Sequence, residues 1–255
     1  MKVLTIDIDY IMGPSIETYN DILWDSNPTK RWLDLFEHSG FQEKNMLIDQ
    51  SNVVFCYEMF LSALKKCKNV HFAYEHDSIL YQLHDKDNID LINIDHHDDV
   101  FLSYGAKDGR SRELEEEKKR IIDSNWVDEG KWVGWLAMRD KIQSYTWISN
   151  SNSSGRNKND EISKVIDDYK CLTKEQYKVR DQHFDYIFVC LSPQYIPRMH
   201  WHYFAMFMIA YEQMTGESAN MITNKFQVHA NNSIVNDEIL QQRSDGWRSF
   251  FGSWF

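Results

Sequence analysis

The chain predicts an α/β fold of three layers, α/β/α, with a mainly parallel sheet, and three observations carry that expectation. Short unbroken apolar runs alternate with stretches of helical periodicity. The runs are continuously apolar, as strands covered on both faces are. Residues able to carry chemistry gather just past the ends of several runs, which is where open α/β sheets place their ligand sites. Residues 1–255 are read as a single catalytic domain, a length sufficient for one large core.

Val3 to Ile8 is the first strand, and it delivers Asp7 and Asp9 with Gly13-Pro14 following. On a strand of period two these carboxylates share a face. Asn27-Pro28 starts a helix as N-cap and first-turn proline, Trp32, Leu33, Leu35 and Phe36 give it an apolar side, and Gly40 stops it. Met46 to Ile48 reads as a short buried strand. Val53, Val54, Tyr57, Phe60, Leu61 and Leu64 then recur at helical spacing before Lys65, Lys66 and Lys68, with Glu58 as a surface charge. Val70 to Tyr74 is the next strand, running into Glu75-His76-Asp77-Ser78 and a helix start at Ile79, Leu80 and Leu83.

The stretch that organises the rest is Asn93-Ile94-Asp95-His96-His97-Asp98-Asp99, directly after the apolar run Ile89 to Ile94. Period-two alternation puts Asp95, His97 and Asp99 on one face and His96 and Asp98 on the other. Two carboxylates flanking an imidazole suit an oxygen-preferring divalent ion.

Arg110 to Asp123 reads as an exposed charged helix. Trp126, Trp132, Trp135 and Trp147 crowd a segment that also carries Asp128 and Glu129, a wall of the kind that holds a cation. Ser149 to Asp160, rich in Asn, Ser and Gly, reads as a mobile surface loop that could serve as a lid. Phe184 to Leu191 is a buried strand. Met199 to Met214 is an apolar helix closed by Gly216, with His200 and His202 in its first turn, where either could face the site. From Gln227 the pattern fades into polar residues and an aromatic tail, Trp247 to Phe251, to which no role is assigned.

Composition narrows the partners. A net charge of -11 argues against nucleic acid and favours a cationic substrate. No stretch approaches the roughly 20 apolar residues of a membrane span. Cys56, Cys67, Cys171 and Cys190 are scattered, with no C-x-x-C pair and no secretory leader before the first strand, so a reduced cytoplasmic setting is expected.

Asp7, Asp9, His76, Asp95, His97 and Asp99 together form a set of four carboxylates and two imidazoles whose charge matches two divalent cations. Such a pair activates water for hydrolysis. Here the chain resembles the arginase and ureohydrolase superfamily, whose motifs are G-G-D-H-S, D-A-H-x-D and S-x-D-x-D-x-x-x-P. Glu75-His76-Asp77-Ser78 is similar to the first in its histidine, Asp95 to Asp99 matches the metal positions of the second, and Thr5-Ile6-Asp7-Ile8-Asp9 resembles the third, with Pro14 one position late. The third motif comes first here, as in a circularly permuted version of the fold. As a whole the chain looks like the peptide arginases that convert arginine residues of a ribosomally made precursor peptide to ornithine.

The resemblance implies two Mn²⁺ ions, one held by Asp7, His76, Asp95 and Asp99 and the other by Asp7, Asp9, Asp95 and His97, with Asp99 also orienting the attacking hydroxide. Of the histidine, Asn and Ser that enzymes acting on free arginine place in this segment, Val100 to Gly109 contains neither the histidine nor the Asn, its only such residue being Ser103, which favours a substrate without a free α-carboxylate. Glu129 and Asp49 are the candidate partners of the guanidinium, and Trp126 and His200 further substrate-binding candidates. Asp95-His96-His97 also resembles the D-H-H motif of manganese phosphoesterases, which would use His96, but a glycine-rich phosphate segment is missing. A zinc deacetylase on this topology would leave Asp9 and His76 unexplained. A non-enzymatic module stabilised by metal is the remaining alternative.

Overall fold

The computed structural model describes residues 1–13, 32, 37, 47–100, 127, 130–153, 162–178, 182–222 and 241–242. Eight strands form one sheet: β1 (Lys2–Asp7), β2 (Val70–Ala73), β3 (Ile89–Asp95), β4 (Ile142–Ser149), β5 (Asp168–Thr173), β6 (Tyr186–Cys190), β7 (Met221–Ile222) and β8 (Gln241–Gln242). Their order is β5-β4-β3-β1-β6-β2-β7-β8, and β1 to β7 run parallel, with only β8 antiparallel to β7.

The side chains of β1 alternate between two cores, as a doubly covered strand requires. Leu4 and Ile6 pack with Phe60 and Leu64 of α1 (Gln50–Leu64) and Phe204, Phe207 and Met208 of α4 (His202–Thr215). Val3 joins the opposite core, with Leu80 and Leu83 of α2 (Leu80–Leu83) and Trp132 and Leu136 of α3 (Trp132–Ala137). The three layers expected from the apolar runs are therefore present. The chain leaves β1 through α1 toward β2 on one side, and leaves β3 through α3 toward β4 on the other. The carboxyl ends of β1 and β3 thus flank the point where the direction of winding reverses.

Local chemistry explains the element ends. Asp49 caps α1, its side chain accepting from Ser51 N at 2.8 Å, and Gly216 closes α4 in the left-handed conformation at φ 73°. Glu58 is exposed on α1, as expected.

Two readings need correction. Met46 to Ile48 was expected as a buried strand. Leu47 is 57 % exposed, and Ile48 makes only an isolated antiparallel bridge to Met12, because this segment is a connector whose backbone bonds to Ile11 and Gly13 satisfy it without a sheet neighbour. Ser149 to Asp160 was expected as a mobile loop. Ser149 instead ends β4, and Asn150 and Ser153 are buried, with Asn150 Nδ2 donating to the carbonyls of Tyr10 (2.7 Å) and Met12 (3.0 Å). The rest of that loop, most of the helix from Asn27 to Gly40, the charged stretch Arg110 to Asp123, Trp126, Asp128, Glu129 and the aromatic tail lie outside the described residues.

Candidate metal centre

Each candidate ligand reaches the sheet edge from the end of a parallel strand. Asp7 is the last residue of β1, and its side chain accepts from Asp9 N at 3.2 Å, capping the 3-10 turn Ile8–Ile11 that carries Asp9. Asp95 is the last residue of β3. His76 opens the short 3-10 turn His76–Ile79 after β2. The alternation argument stops at these strand ends, because Asp9 and residues 96–99 sit on turns and bends, not on a face of the sheet. Asp99 arrives through a left-handed backbone, φ 52°, a conformation that Asp tolerates better than most residues.

Two groups result. His76 Nδ1 lies 3.2 Å from Asp7 Oδ2, 3.1 Å from Asp95 Oδ2 and 3.0 Å from Asp99 Oδ2. His97 Nδ1 lies 3.1 Å from Asp9 Oδ2 and 3.9 Å from Asp95 Oδ1. Asp95 therefore turns one oxygen toward each group. Asp7, His76 and Asp95 form one set that could hold a metal ion and Asp9, Asp95 and His97 another, with Asp99 beside the first; all six residues are buried except His97, which is partly exposed.

The donor set fits cations better than it fits a hydrogen-bond network. One imidazole nitrogen carries at most one proton, yet three carboxylate oxygens converge on His76 Nδ1. Buried carboxylates this close repel one another unless positive charge lies between them. The proton affinities record that conflict. Burial, and then the charges of Asp7 and Asp95, push Asp9 well above the usual carboxylate range. Burial and the charge of Asp95 do the same to Asp99. Burial disfavours the imidazolium of His76, but the carboxylates of Asp7, Asp95 and Asp99 around its Nδ1 outweigh it and raise that group well above its ordinary value. Asp95 is held low against its burial by the bond and charge of His76 and by His97.

A surrounding layer orients the ligands. Trp132 Nε1 donates to Asp99 Oδ2 at 2.6 Å, and its ring lies 4.9 Å from that of His76. The Phe188 ring stacks with that of His76 at 6.0 Å. Asn93 Nδ2 donates to Asp95 Oδ2 at 3.2 Å, while Thr5 Oγ1 donates to Asn93 Oδ1. His97 N donates to Asp95 Oδ1 at 2.8 Å and Tyr145 OH to Asp98 O at 2.7 Å, fixing the bend between the ligands. Ser192 Oγ donates to Asp7 Oδ2 at 2.5 Å.

The sequence reading missed most of this layer. Asn93 and Thr5 carried a signal, since a polar side chain inside an unbroken apolar strand must find a buried partner. Trp132 was noticed only as part of an aromatic crowd, and Ser192 only as a strand end. His96, expected to point away on the opposite face, is buried beside the site. Its N–H lies 3.4 Å from Asp9 Oδ1, its ring 5.1 Å from that of His97, and it belongs to neither ligand group.

His200 lies in the 3-10 turn Arg198–His200 and is half-buried, with its ring 6.3 Å from Tyr203, outside both groups. His202 is exposed, its Nδ1 2.9 Å from Met199 O. Asp49, the other proposed guanidinium partner, is used as the cap of α1, with Lys174 Nζ 3.7 Å from its Oδ2. Among the described residues no helix is long and apolar enough to cross a membrane. A scan of protein-family models, a search of curated proteins and a search of solved structures each return no match.

Proposed function

We propose that this protein is a binuclear manganese hydrolase that converts arginine residues of a precursor peptide to ornithine with release of urea. The observation that carries the reading is the sharing of Asp95 between two groups built from three carboxylates and two imidazoles, with a fourth carboxylate, Asp99, 3.0 Å from His76. In this reading Asp7, His76, Asp95 and Asp99 hold one Mn²⁺, and Asp7, Asp9, Asp95 and His97 the other. Bound there, the pair would lower the pKa of a water molecule far enough to make it a nucleophile near neutral pH.

The balance of the reaction is simple. A water oxygen bonds to the guanidino carbon, the bond from that carbon to the side-chain Nε breaks, and the nitrogen leaves as the amine of ornithine while the carbon departs as urea. Asp99 is the residue assigned to orient the attacking water. Trp132 keeps Asp99 Oδ2 directed at the site. His97 is the only partly exposed member of the two groups, so its side is where substrate would enter. The acidity of the chain favours a guanidinium, and the resemblance of Asp7-Ile8-Asp9, His76 and Asp95 to Asp99 to ureohydrolase motifs supports guanidino chemistry over other hydrolysis. The lack of a histidine and an Asn from Val100 to Gly109 supports a peptide over the free amino acid. A cytoplasmic setting accords with four free cysteines.

The test uses the full chain loaded with Mn²⁺ and incubated separately with free arginine, an arginine-containing peptide and a nucleotide phosphodiester. The expected result is urea together with a peptide lighter by CH₂N₂ for each arginine converted. Turnover of free arginine alone would remove the peptide claim. Phosphodiester cleavage would remove the guanidino claim, and stabilisation by metal without any turnover would leave the binding-module reading.

A further inference from the structure

The order of the sheet leaves one position at the site's edge without a ligand. β6 lies between β1, which carries Asp7, and β2, which leads into His76, yet neither ligand group takes a residue from it. What β6 sends to the edge is Ser192, two residues past its end and buried. Its hydroxyl donates to Asp7 Oδ2 at 2.5 Å, and that same oxygen lies 3.2 Å from His76 Nδ1.

This placement has a cost in the backbone. Ser192 has φ 44°, in the left-handed region that favours glycine and that serine adopts rarely. The conformation is fixed on both sides, by Ser192 N donating to Tyr74 O at 3.1 Å and by Tyr195 N donating to Ser192 O at 2.9 Å. Cys190 Sγ lies 3.2 Å from Ser192 Oγ. A hydroxyl has a single proton, and here it goes to Asp7, while the Cys190 thiol donates to Tyr74 O at 3.5 Å. If only the turn mattered, glycine would serve it better.

We infer that Ser192 is a positioning residue for the metal centre: its hydroxyl sets the orientation of the Asp7 carboxylate, and the strained turn exists to aim that hydroxyl. The inference rests on the metal-binding part of the proposed function and is independent of the guanidino substrate. Partners that orient metal ligands are worth roughly 10- to 100-fold in metal affinity when removed.

Two variants separate this role from a structural one. Ser192→Ala removes the hydroxyl and keeps the strain, whereas Ser192→Gly removes the hydroxyl and relieves it. In thermal melts of the metal-free full chain, the glycine variant is expected to be more stable than the alanine variant. In Mn²⁺ titrations followed by equilibrium dialysis and metal analysis, both are expected to lose affinity by the same factor, roughly 10- to 100-fold. Affinity that follows stability, restored in Ser192→Gly and lost in Ser192→Ala, would overturn the inference, as would unchanged affinity in both. A wild-type chain that binds no Mn²⁺ would overturn it together with the metal reading. Metal binding by the wild type with equal loss in both variants supports it whether or not urea is released.

Discussion

Gly134→Ala tests how tightly the site is built against α3. In an exposed helix interior this substitution stabilises by about 1 kcal/mol, because alanine is the better helix former. Here the added Cβ would lie 2.2 Å from the carbonyl oxygen of Val100, a separation that real Cβ atoms do not show below 3.0 Å. The helix must therefore retreat by at least the difference, 0.8 Å, or push the Asp99–Val100 backbone away. Trp132 is on that helix, and a retreat of this size along its 2.6 Å bond to Asp99 would stretch the contact to 3.4 Å, past the useful range. The Gly134 N to Asp99 O bond, already 3.3 Å, weakens with it. Overpacking costs about 1–3 kcal/mol and a lost hydrogen bond to a charged group about 1.5–3 kcal/mol. After subtracting the helix-propensity gain, the net is about 1.5–5 kcal/mol of destabilisation, a fall of several degrees in Tm for a chain of this size. Thermal unfolding of the two proteins, with and without Mn²⁺, decides the sign. An alanine variant as stable as the parent, with the same Mn²⁺-induced gain, would refute the claim that α3 is pressed onto Asp99.

Asp95→Asn keeps the shape of the residue and lets His97 N still donate to an oxygen, but removes the shared negative charge; the metal-free fold is expected to survive while bound manganese per chain and turnover collapse. His96→Ala, outside both groups, should keep the manganese, so a variant series with the opposite outcome would reject the ligand assignment. The metal-free protein should lose stability as pH rises. Asp9 and Asp99 are raised above the ordinary 3.8 by burial and neighbouring carboxylates, so their penalty grows as pH climbs past 3.8 and through their raised values. The contribution of His76 is present below its ordinary 6.5 and is lost as pH rises through its raised value. Asp95, held low, acts oppositely and only on the acid side, its contribution falling away below 3.8. Mn²⁺ competes with these protons, so the Tm gain on adding it should grow with pH; melts from about pH 5 to about pH 9 in EDTA and in Mn²⁺ check both slopes, and a metal-free form most stable at alkaline pH contradicts them.

The strands that carry ligands were legible because burial on both faces makes them continuous apolar runs, and because Asp7 and Asp95 stand at the last position of such runs, where polarity begins abruptly. Both ligand groups were drawn together from that pattern and from motif resemblance, although the face-alternation argument was the wrong geometry. Asp9 joins through a 3-10 turn and Asp99 through a left-handed bend, and neither is written in a period of two. The orienting layer was illegible for a different reason. Ser192 meets Asp7 across 185 residues of sequence and Trp132 meets Asp99 across 33, so neither contact leaves a local pattern. Asn150 misled in the opposite direction. A run of Asn and Ser suggests a solvated loop, but the same amide that favours turns can also hold two buried carbonyls, as it does for Tyr10 and Met12.

The order of the sheet, not that of the sequence, decides which strand ends meet. What the chemistry requires is that the carboxyl ends of three strands lie within a few ångströms of one another, and strand neighbours in this sheet are set by crossovers, not by sequence order. β1 pairs with β3 through Thr5↔Asn93 and Ile6↔Ile94, which brings Asp7 beside Asp95 although 87 residues separate Thr5 from its ladder-mate Asn93 and its hydrogen-bond partner there. β6 holds β2 at one strand's remove, close enough for the turn after β2 to project His76 onto Asp7 and Asp95. A segment resembling the last motif of a family can therefore stand first in the chain and still occupy the centre of the sheet. Placing it there has a physical consequence. Among the described ligands, Asp7 and Asp9 come from a central strand walled by β3 and β6, which leaves Asp9 fully buried, while the only ligand with substantial exposure, His97, sits on the bend after β3. Among the described residues, the exposed side of the centre is the one that His97 and Tyr195, with rings 5.0 Å apart, define.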